Sequence, residues 1–391
     1  MLKALWLTSW YPNKLNPMNG DFIQRHAHAA SLFCDVHVIH LETDEKNMLE
    51  YYIETHTSIS ENLKEEIVLY KPRSGSSFFT KIISNLRYKK LFKEHVKNYI
   101  AKNGTPDIVH VHVPVKCGII ALWLKKKYGI KYIVTEHWAI YNDYAEDAYR
   151  KRNLIFKFYT KKILRNAAFF LPVSNELGMS VKKSVTPVNY KVVYNCVDTA
   201  IFNCRNAVSK NEAFTFIHVS TLKYQKNPEG ILRCFKIFSD EFPQSKLLMV
   251  GEGYGHLEAL AVSLNIGTEK IEFTGLKKYE EVAVLMQQSH ALLMFSRFEN
   301  MPCVIAEALC CGLPFISTDV GGIKEIADEK NALLVSSEDE RSLLEAMRKM
   351  YLNYQSYQQN EIAADAEKKF SYQTIGKQIE EIYSGLNAGI R

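Results

Sequence analysis

Short runs of apolar and β-branched residues recur along the chain, and between them apolar positions fall at the three- and four-residue spacing of helices. A first series comprises Ala4 to Leu7, Val36 to His40, Ile67 to Tyr70, Ile108 to Val113, Tyr132 to Thr135, Phe169 to Val173 and Val192 to Tyr194. A second comprises Phe214 to Val219, Leu247 to Val250, Ile271 to Phe273, Ala291 to Phe295, Phe315 to Ser317 and Leu333 to Val335. Strands alternating with helices predict parallel sheets, so the fold class is α/β with two doubly wound domains. The join is expected in the polar stretch Asn195 to Asn211, giving a first domain of residues 1–195 and a second of residues 196–370. Beyond Phe370, the residues Ile375, Ile379, Ile382 and Tyr383 make a helical stripe, and the helix over residues 371–391 is expected to cross back onto the first domain. Two such domains facing one another leave a central cleft at the carboxyl ends of both sheets, where open α/β folds bind ligands.

A chain of 391 residues exceeds one compact core, and 47% hydrophobic with 24% charged residues is an ordinary globular composition. No stretch approaches the roughly 18 uninterrupted apolar residues of a membrane span. The apolar opening carries Lys3, is cut off by Pro12 and lacks a small-residue cleavage site, so it does not read as a secretory leader and a cytoplasmic protein is expected. Cysteines 34, 117, 196, 204, 234, 303, 310 and 311 form no CxxC pair and have no nearby His at ligand spacing, so they are expected to be reduced core residues without a metal.

Charge divides unevenly. Residues 1–200 hold 29 Lys and Arg against 18 Asp and Glu, a net of +11; the remainder hold 20 against 25, a net of −5. Lys71 to Lys102 alone has nine basic residues against Glu94, interleaved with Phe78, Phe79, Ile82, Ile83 and Leu86. Such a helix suits an anionic membrane surface at the inner face of the cell membrane or an anionic acceptor, and equally a solvated face. No zinc-finger, RRM or KH signature accompanies the charge, so nucleic acid is not an expected partner.

The most specific segment runs from Phe295 to Pro314. An apolar strand ends near Phe295, a polar turn follows, and Pro302 suits the first position of a helix, with Asn300 or Met301 as N-cap. The free N–H groups of a helix start from about Cys303, through Val304, to Ala306 would make an anion site. A carboxylate beside a phosphate is repelled by it, so Glu299 in the turn and Glu307 inside the helix must serve other parts of a ligand: Glu307 suits ribose hydroxyls and Glu299 sugar hydroxyls. Taken by itself, Glu299 reads rather as a helix cap and Glu307 as a surface or paired acid.

The pair Glu299-x7-Glu307, followed by Cys311-Gly-Leu-Pro-Phe-Ile-Ser-Thr-Asp-Val-Gly-Gly, resembles the donor-site signature of family 4 retaining glycosyltransferases, which have the GT-B fold of two Rossmann-like domains. Further landmarks follow the family's order. Val250-Gly251-Glu-Gly and Phe273-Thr-Gly275-Leu276 resemble its turns near the nucleotide and base, and Tyr194-Asn-Cys-Val-Asp resembles its hinge, with Cys196 in place of Gly. Val219-Ser220-Thr221-Leu-Lys-Tyr-Gln-Lys226 resembles the segment whose Arg and Lys neutralise the donor diphosphate; Lys226 matches, but Thr221 stands where Arg is expected and brings neither charge nor fork geometry. Lys223 is a candidate to compensate. Asn19-Gly20 replaces the family's Gly-Gly after the first strand, and Thr135-Glu136-His137 resembles the strand end whose His faces the donor sugar, with Glu136 a secondary candidate. His110 and His112 read as core or rim residues.

The resemblance implies a retaining transferase moving a sugar from a nucleotide-sugar donor to a glycan or lipid-linked acceptor, without metal or other cofactor. His137 and Glu299 are then the catalytic residues. Asn19, Gly20, Ser220, Thr221, Lys226, Gly251, Gly275, Leu276, Asn300, Met301, Pro302, Cys303, Val304 and Glu307 hold the donor. Nucleotide-sugar 2-epimerases share the GT-B architecture and form one alternative. A non-catalytic nucleotide-sugar or glycan-binding protein, in keeping with Thr221, forms another.

Overall fold

The computed structural model describes residues 1–72, 78–205 and 208–388. Arg73 of the basic segment, the side chains of Phe78 and Phe79, residues 206–207 of the expected join and residues 389–391 of the expected closing helix lie outside the described residues.

The first half builds β1 (Lys3–Thr8), α1 (Asp21–Ser31), β2 (Asp35–Thr43), β3 (Ile53–Ser60), β4 (Leu63–Tyr70), α2 (Phe78–Asn103), β5 (Ile108–His112), α3 (Gly118–Tyr128), β6 (Tyr132–Glu136), α4 (Leu154–Asn166), β7 (Phe169–Pro172) and α5 (Asn175–Ser184). Its sheet has the order β3-β4-β2-β1-β5-β6-β7, parallel throughout except for the antiparallel edge strand β3. The second half builds β8 (Phe214–Val219), α6 (Pro228–Glu241), β9 (Ser245–Val250), α7 (Gly255–Ser263), β10 (Ile271–Gly275), α8 (Tyr279–Gln288), β11 (Ala291–Met294), α9 (Cys303–Cys310), β12 (Phe315–Thr318), β13 (Ala332–Val335), α10 (Glu340–Asn353) and α11 (Gln359–Phe370), and α12 (Tyr372–Asn387) ends the chain. Its sheet is β10-β9-β8-β11-β12-β13, all parallel.

Leaving out β3, both sheets show the same doubly wound order, in which the chain reverses direction across the sheet beside its first strand. The reversal lies between β1 and β5 in one half and between β8 and β11 in the other. The segments that leave the strands around these points at their carboxyl ends therefore border the cleft. The central strands are apolar and buried on both faces, as helix-covered parallel strands must be: Ala4 to Leu7 and Ala291 to Met294 are fully covered.

Two sequence expectations are corrected. Val192 to Tyr194 forms no ladder; it runs beside β7 with single bonds such as Val193 N–H to the Pro172 carbonyl at 3.1 Å. Strand β3 was not foreseen, because its Thr, Ser, His and Glu residues are almost all exposed on a sheet edge and leave no apolar run.

The chain crosses between the halves twice, and the crossings lie side by side: Val197 N–H donates to the Phe370 carbonyl at 2.8 Å. Helix α12 then packs on α1, burying Ile375, Ile379, Ile382 and Tyr383. Gly376 permits this approach, since a Cβ there would stand 2.0 Å from the Ala29 carbonyl oxygen. The Tyr383 hydroxyl also reaches the buried His110 Nδ1 at 2.7 Å, pinning the last helix to the first sheet.

Candidate functional site

In the second half, the loops after β8, β9 and β10 are chained together by their backbones. Ser220 N–H donates to the Val250 carbonyl at 3.0 Å and Gly251 N–H to the Gly275 carbonyl at 3.1 Å. Gly251 is required at this crossing: its φ is 148°, and a Cβ would lie 1.9 Å from the Ser220 carbonyl oxygen. The Ser220 hydroxyl is held between His218 Nε2 at 2.7 Å and the Leu222 N–H at 3.0 Å, whereas Thr221, Lys223 and Leu276 are exposed. Lys226 turns inward and pairs with the buried Glu299 carboxylate. Gln225 fixes the same turn from beneath, donating to the Phe298 carbonyl at 2.9 Å.

Helix α9 begins at Cys303 with Pro302 as N-cap, one residue later than expected, and no side chain caps it. The shift has a cause. The Asn300 carbonyl accepts from Gly322 N–H at 2.6 Å and the Met301 carbonyl from Asn195 Nδ2 at 2.8 Å, so both are drawn toward partners outside the helix. The first N–H groups of Cys303 and Val304, with the positive end of the helix dipole behind them, sit in the turn that carries Glu299. Gly321 lets the loop after β12 lie flat on this turn, because a Cβ there would stand 2.3 Å from the Glu299 carbonyl oxygen.

The first half closes over this site with polar contacts. Asn300 Nδ2 donates to the His137 carbonyl at 2.8 Å, and Tyr279 hydroxyl donates to Asp21 at 2.6 Å. The start of α5 holds the Glu325 carboxylate with the Asn175 and Glu176 N–H groups at 2.9 and 3.0 Å. Most telling is Glu307, which the sequence alone leaves without a partner. Arg25 of α1 donates to it at 2.5 Å, stands 3.3 Å from Asp21, and lies over the Tyr279 ring at 4.4 Å. Both members of the Arg25–Glu307 pair are under a tenth exposed. Arg25, Asp21, Tyr279 and Glu325 escaped the sequence reading; Arg25 lies on the opposite side of α1 from the apolar stripe of Ile23, Ala27 and Ala30, where a charge is ordinary and gives no signal. Gly20, with φ of 73°, forms the N-cap of α1, and a Cβ would strike the Trp10 backbone at 2.8 Å; Asn19 Nδ2 reaches Glu42 at 3.4 Å.

His137 lies at the end of β6 in a buried cluster with His26, His112 and Phe22. Asn195, whose amide nitrogen serves Met301, offers its oxygen to His137 Nδ1 at 3.1 Å, so the proton resides on Nδ1. Nε2 is then the acceptor for His112 Nδ1 at 3.4 Å. Both ring nitrogens are engaged inside the protein, and the group His137 offers the cleft turn is its backbone carbonyl. His26, His112 and His137 are also the residues with metal-ligand spacing among those described, their nitrogens within 4.8 Å of one another. The rings of His112 and His137 lie 17° from parallel and are joined by the His112 to His137 N–H···N bond. Glu136 accepts from the N–H groups of His137 and Trp138 at 3.0 Å and from Tyr141 at 2.9 Å, which makes it a clamp for this strand end.

Between Glu299, Asn300 and Gly321 on one side and Tyr141, Ser174 and Glu176 on the other, a cavity of only about 10 Å³ remains. Ligand pockets begin at roughly 300 Å³, so at this point the cleft is closed on its own side chains.

Comparison with known proteins fits this architecture. The family described as glycosyl transferases group 1 matches residues 203–369, and glycosyltransferase family 4 matches residues 26–201. The chain belongs to the family 4, group 1 glycosyltransferases. An uncharacterized glycosyltransferase of Methanocaldococcus jannaschii is 25% identical over 89% of this chain and 94% of its own. N-acetyl-alpha-D-glucosaminyl L-malate synthase of Bacillus anthracis is 28% identical over 58% of this chain and 60% of its own. Among solved structures, sucrose-phosphate synthase from Thermosynechococcus elongatus superposes with a TM-score of 0.78 at 19% identity, covering 99% of this chain and 100% of that one. Anabaena HepE in complex with UDP superposes with 0.72 at 16%, covering 98% and 100%. The fold of this glycosyltransferase is GT-B.

The histidine cluster gives the transferase a pH dependence. Burial holds His26 down at about 4 and His110, His112 and His137 well below the usual imidazole value, so all four are neutral. Unfolding exposes them to titrate near 6.5, so the unfolded chain binds protons that the native chain refuses, and stability is lost as pH falls below that value. Burial pushes Glu136 up to about 7, which acts in the opposite sense, with stability lost as pH rises through 7. Each proton is worth about 1.4 kcal/mol per pH unit, so four imidazoles outweigh one carboxyl. The melting temperature is expected to fall between pH 7 and pH 5; a flat thermal-denaturation profile over that range would contradict the neutral cluster.

Proposed function

We propose that this glycosyltransferase works with retention, transferring a hexosyl group from a nucleoside-diphosphate sugar to a hydroxyl of a glycan or lipid-linked acceptor. The observation that carries the reading is that two carboxylates, Glu299 and Glu307, are buried in one cleft on either side of an uncapped helix start, each held by a single cation. A buried carboxylate facing a cation is a strong acceptor for hydroxyls, and a nucleotide sugar offers two sets of them with a diphosphate between. In this reading Glu307 takes the ribose hydroxyls, Glu299 the sugar hydroxyls, and the α9 start with Lys226 receives the diphosphate. Asn300, Met301, Pro302, Cys303 and Val304 shape that start, and the loops carrying Ser220, Gly251, Gly275 and Leu276 border the base.

The reaction then breaks the bond between the sugar C1 and the diphosphate oxygen and forms a bond from C1 to the acceptor oxygen on the same face. The acceptor's proton passes to the departing phosphate oxygen, so no protein nucleophile and no metal or other cofactor is required. Fixed N–H groups and Lys226 stabilise the charge that gathers on the diphosphate, a contribution that in such sites exceeds that of any single proton transfer. His137, with both nitrogens engaged, would act on the sugar through its carbonyl and its hold on Asn300. Glu299→Gln is expected to lower kcat about a hundredfold with little change in nucleotide affinity, while Glu307→Gln mainly weakens nucleotide binding. Steady-state kinetics and calorimetry separate the two; wild-type values in both folded variants would overturn the assignment.

We further propose that the acceptor arrives at an anionic lipid surface. No helix among the described residues is long and apolar enough to cross a membrane. The structure instead leaves Ile82, Ile83 and Leu86 of α2 exposed, along with Leu154, Ile155 and Phe158 of α4, which are 81%, 69% and 59% exposed. Helix α4 also carries Lys157, Lys161, Lys162 and Arg165 and no acid. Lys89 and Lys93, expected to be part of a free basic face, rest partly buried over the rings of Tyr159 and Trp123, and the first contact joins α2 to α4. Both helices run into parallel strands, β5 and β7, so their exposed starts lie at the cleft end of the sheet. Apolar side chains beside lysines suit insertion at a headgroup boundary, where each basic residue contributes about 1 kcal/mol. The wild-type chain is expected to sediment with phosphatidylglycerol vesicles at low salt and not with phosphatidylcholine, and Leu154→Ser/Ile155→Ser/Phe158→Ser to lose that binding with its melting temperature retained. A wild-type chain that ignores both vesicles contradicts the lipid surface.

A further inference from the structure

Arg25 is the cation that the first domain places against the second. Its guanidinium lies beside the first turn of α9, because a side chain at Glu307 leans back toward the helix start and Cys303, the first helical residue, is within electrostatic reach of the charge. The local charges do not balance. Among the described residues the carboxylates of Asp21, Glu299 and Glu307 form ion pairs with two cations, Lys226 and Arg25. A donor diphosphate adds at least two more negative charges to a region already short of positive charge, and Thr221 and Lys223, on the adjoining loop, point to solvent.

We propose that Arg25 is a diphosphate-binding residue supplied by the first domain, paired with Glu307 while the cleft is empty and turned to the phosphate oxygens once ribose hydroxyls take over that carboxylate. The inference rests on the donor site described above and adds to it a residue from the opposite domain. The chemistry suits guanidinium in particular. Its planar fork has five N–H donors, so it can keep one on Glu307 or Asp21 while presenting others to an oxyanion, which a lysine ammonium cannot do in the same fixed geometry. The Tyr279 ring at 4.4 Å and the Tyr279 hydroxyl on Asp21 steady the guanidinium beside Glu307. Donor binding thereby strengthens a closure that the Arg25–Glu307 pair already makes without ligand: the bound diphosphate gives the first domain a second anion to close on.

The test compares affinities for a nucleoside diphosphate and for its nucleoside, using the full chain and calorimetric titration with UDP, GDP and ADP and with uridine, guanosine and adenosine. For the base that wild type binds, Arg25→Met is expected to weaken the diphosphate at least about tenfold while the nucleoside is unchanged or tighter, and Arg25→Lys to fall between. Arg25→Met also strands a buried Glu307, so Arg25→Met/Glu307→Gln is compared with Glu307→Gln as a second pair; the ratio of diphosphate to nucleoside affinity is expected to fall by the same factor. An unchanged ratio in both comparisons overturns the role of Arg25 and leaves the donor site standing. A wild-type chain that binds none of the three diphosphates overturns the donor site itself, and this inference with it.

Discussion

Two carboxylates are buried where two domains meet, and the cleft is organised around the need to neutralise them. Glu299 has Lys226 from its own domain; Glu307 has Arg25 from the other. An ion pair taken out of water contributes little net stability, but losing one partner costs about 3–5 kcal/mol because the other charge is left stranded. Closure without ligand therefore depends on Arg25, and opening without ligand exposes both charges to water, where they are comfortable again. That near balance is what a donor can tip. The neighbouring contacts, from Asn195 to the Met301 carbonyl, Asn300 to the His137 carbonyl and the α5 start to Glu325, are single polar bonds that water can replace when the domains part.

The rest of the chain makes this closure repeatable. Two sheets of the same strand order bring their reversal points face to face, so α1 after β1 and the loop after β6 meet the segments that follow β10 and β11. The crossings at Val197 and Phe370 lie side by side and act as a hinge, while α12 rides with the first domain through its packing on α1 and the Tyr383–His110 bond. Helix α1 thus carries Gly20, Asp21 and Arg25 in its first turns and the contact with α12, at Ala29, near its end. Asn195 sits at the hinge and touches both His137 and Met301, so the histidine chain, the hinge and the α9 turn share one residue.

Much of this was legible in the sequence because it is local. Buried parallel strands declare themselves as β-branched runs, and the Glu299-x7-Glu307 spacing with its glycines and proline identifies a turn and a helix start within twenty residues. What was hidden lies in long-range pairing. Arg25 and Glu307 are 282 positions apart, and no periodicity announces that a helix in one domain neutralises an acid in the other. Strand β3 was hidden because an exposed edge needs no apolar pattern, and the one-residue shift in the start of α9 because Asn195 and Gly322 reach the turn from distant segments. The basic stretch of α2 was visible as charge, yet composition could not tell that Lys89 and Lys93 lie on aromatic rings while the apolar start of α4 completes the surface.

The most direct test of the central claim is a crystal structure of the chain with the nucleoside diphosphate it binds. The account predicts ribose hydroxyls within hydrogen-bond distance of the Glu307 carboxylate, the diphosphate at the first turn of α9, and the Arg25–Glu307 pair loosened or shared with phosphate. A nucleotide bound away from α9, or bound in the cleft without contact to Glu307, would contradict it.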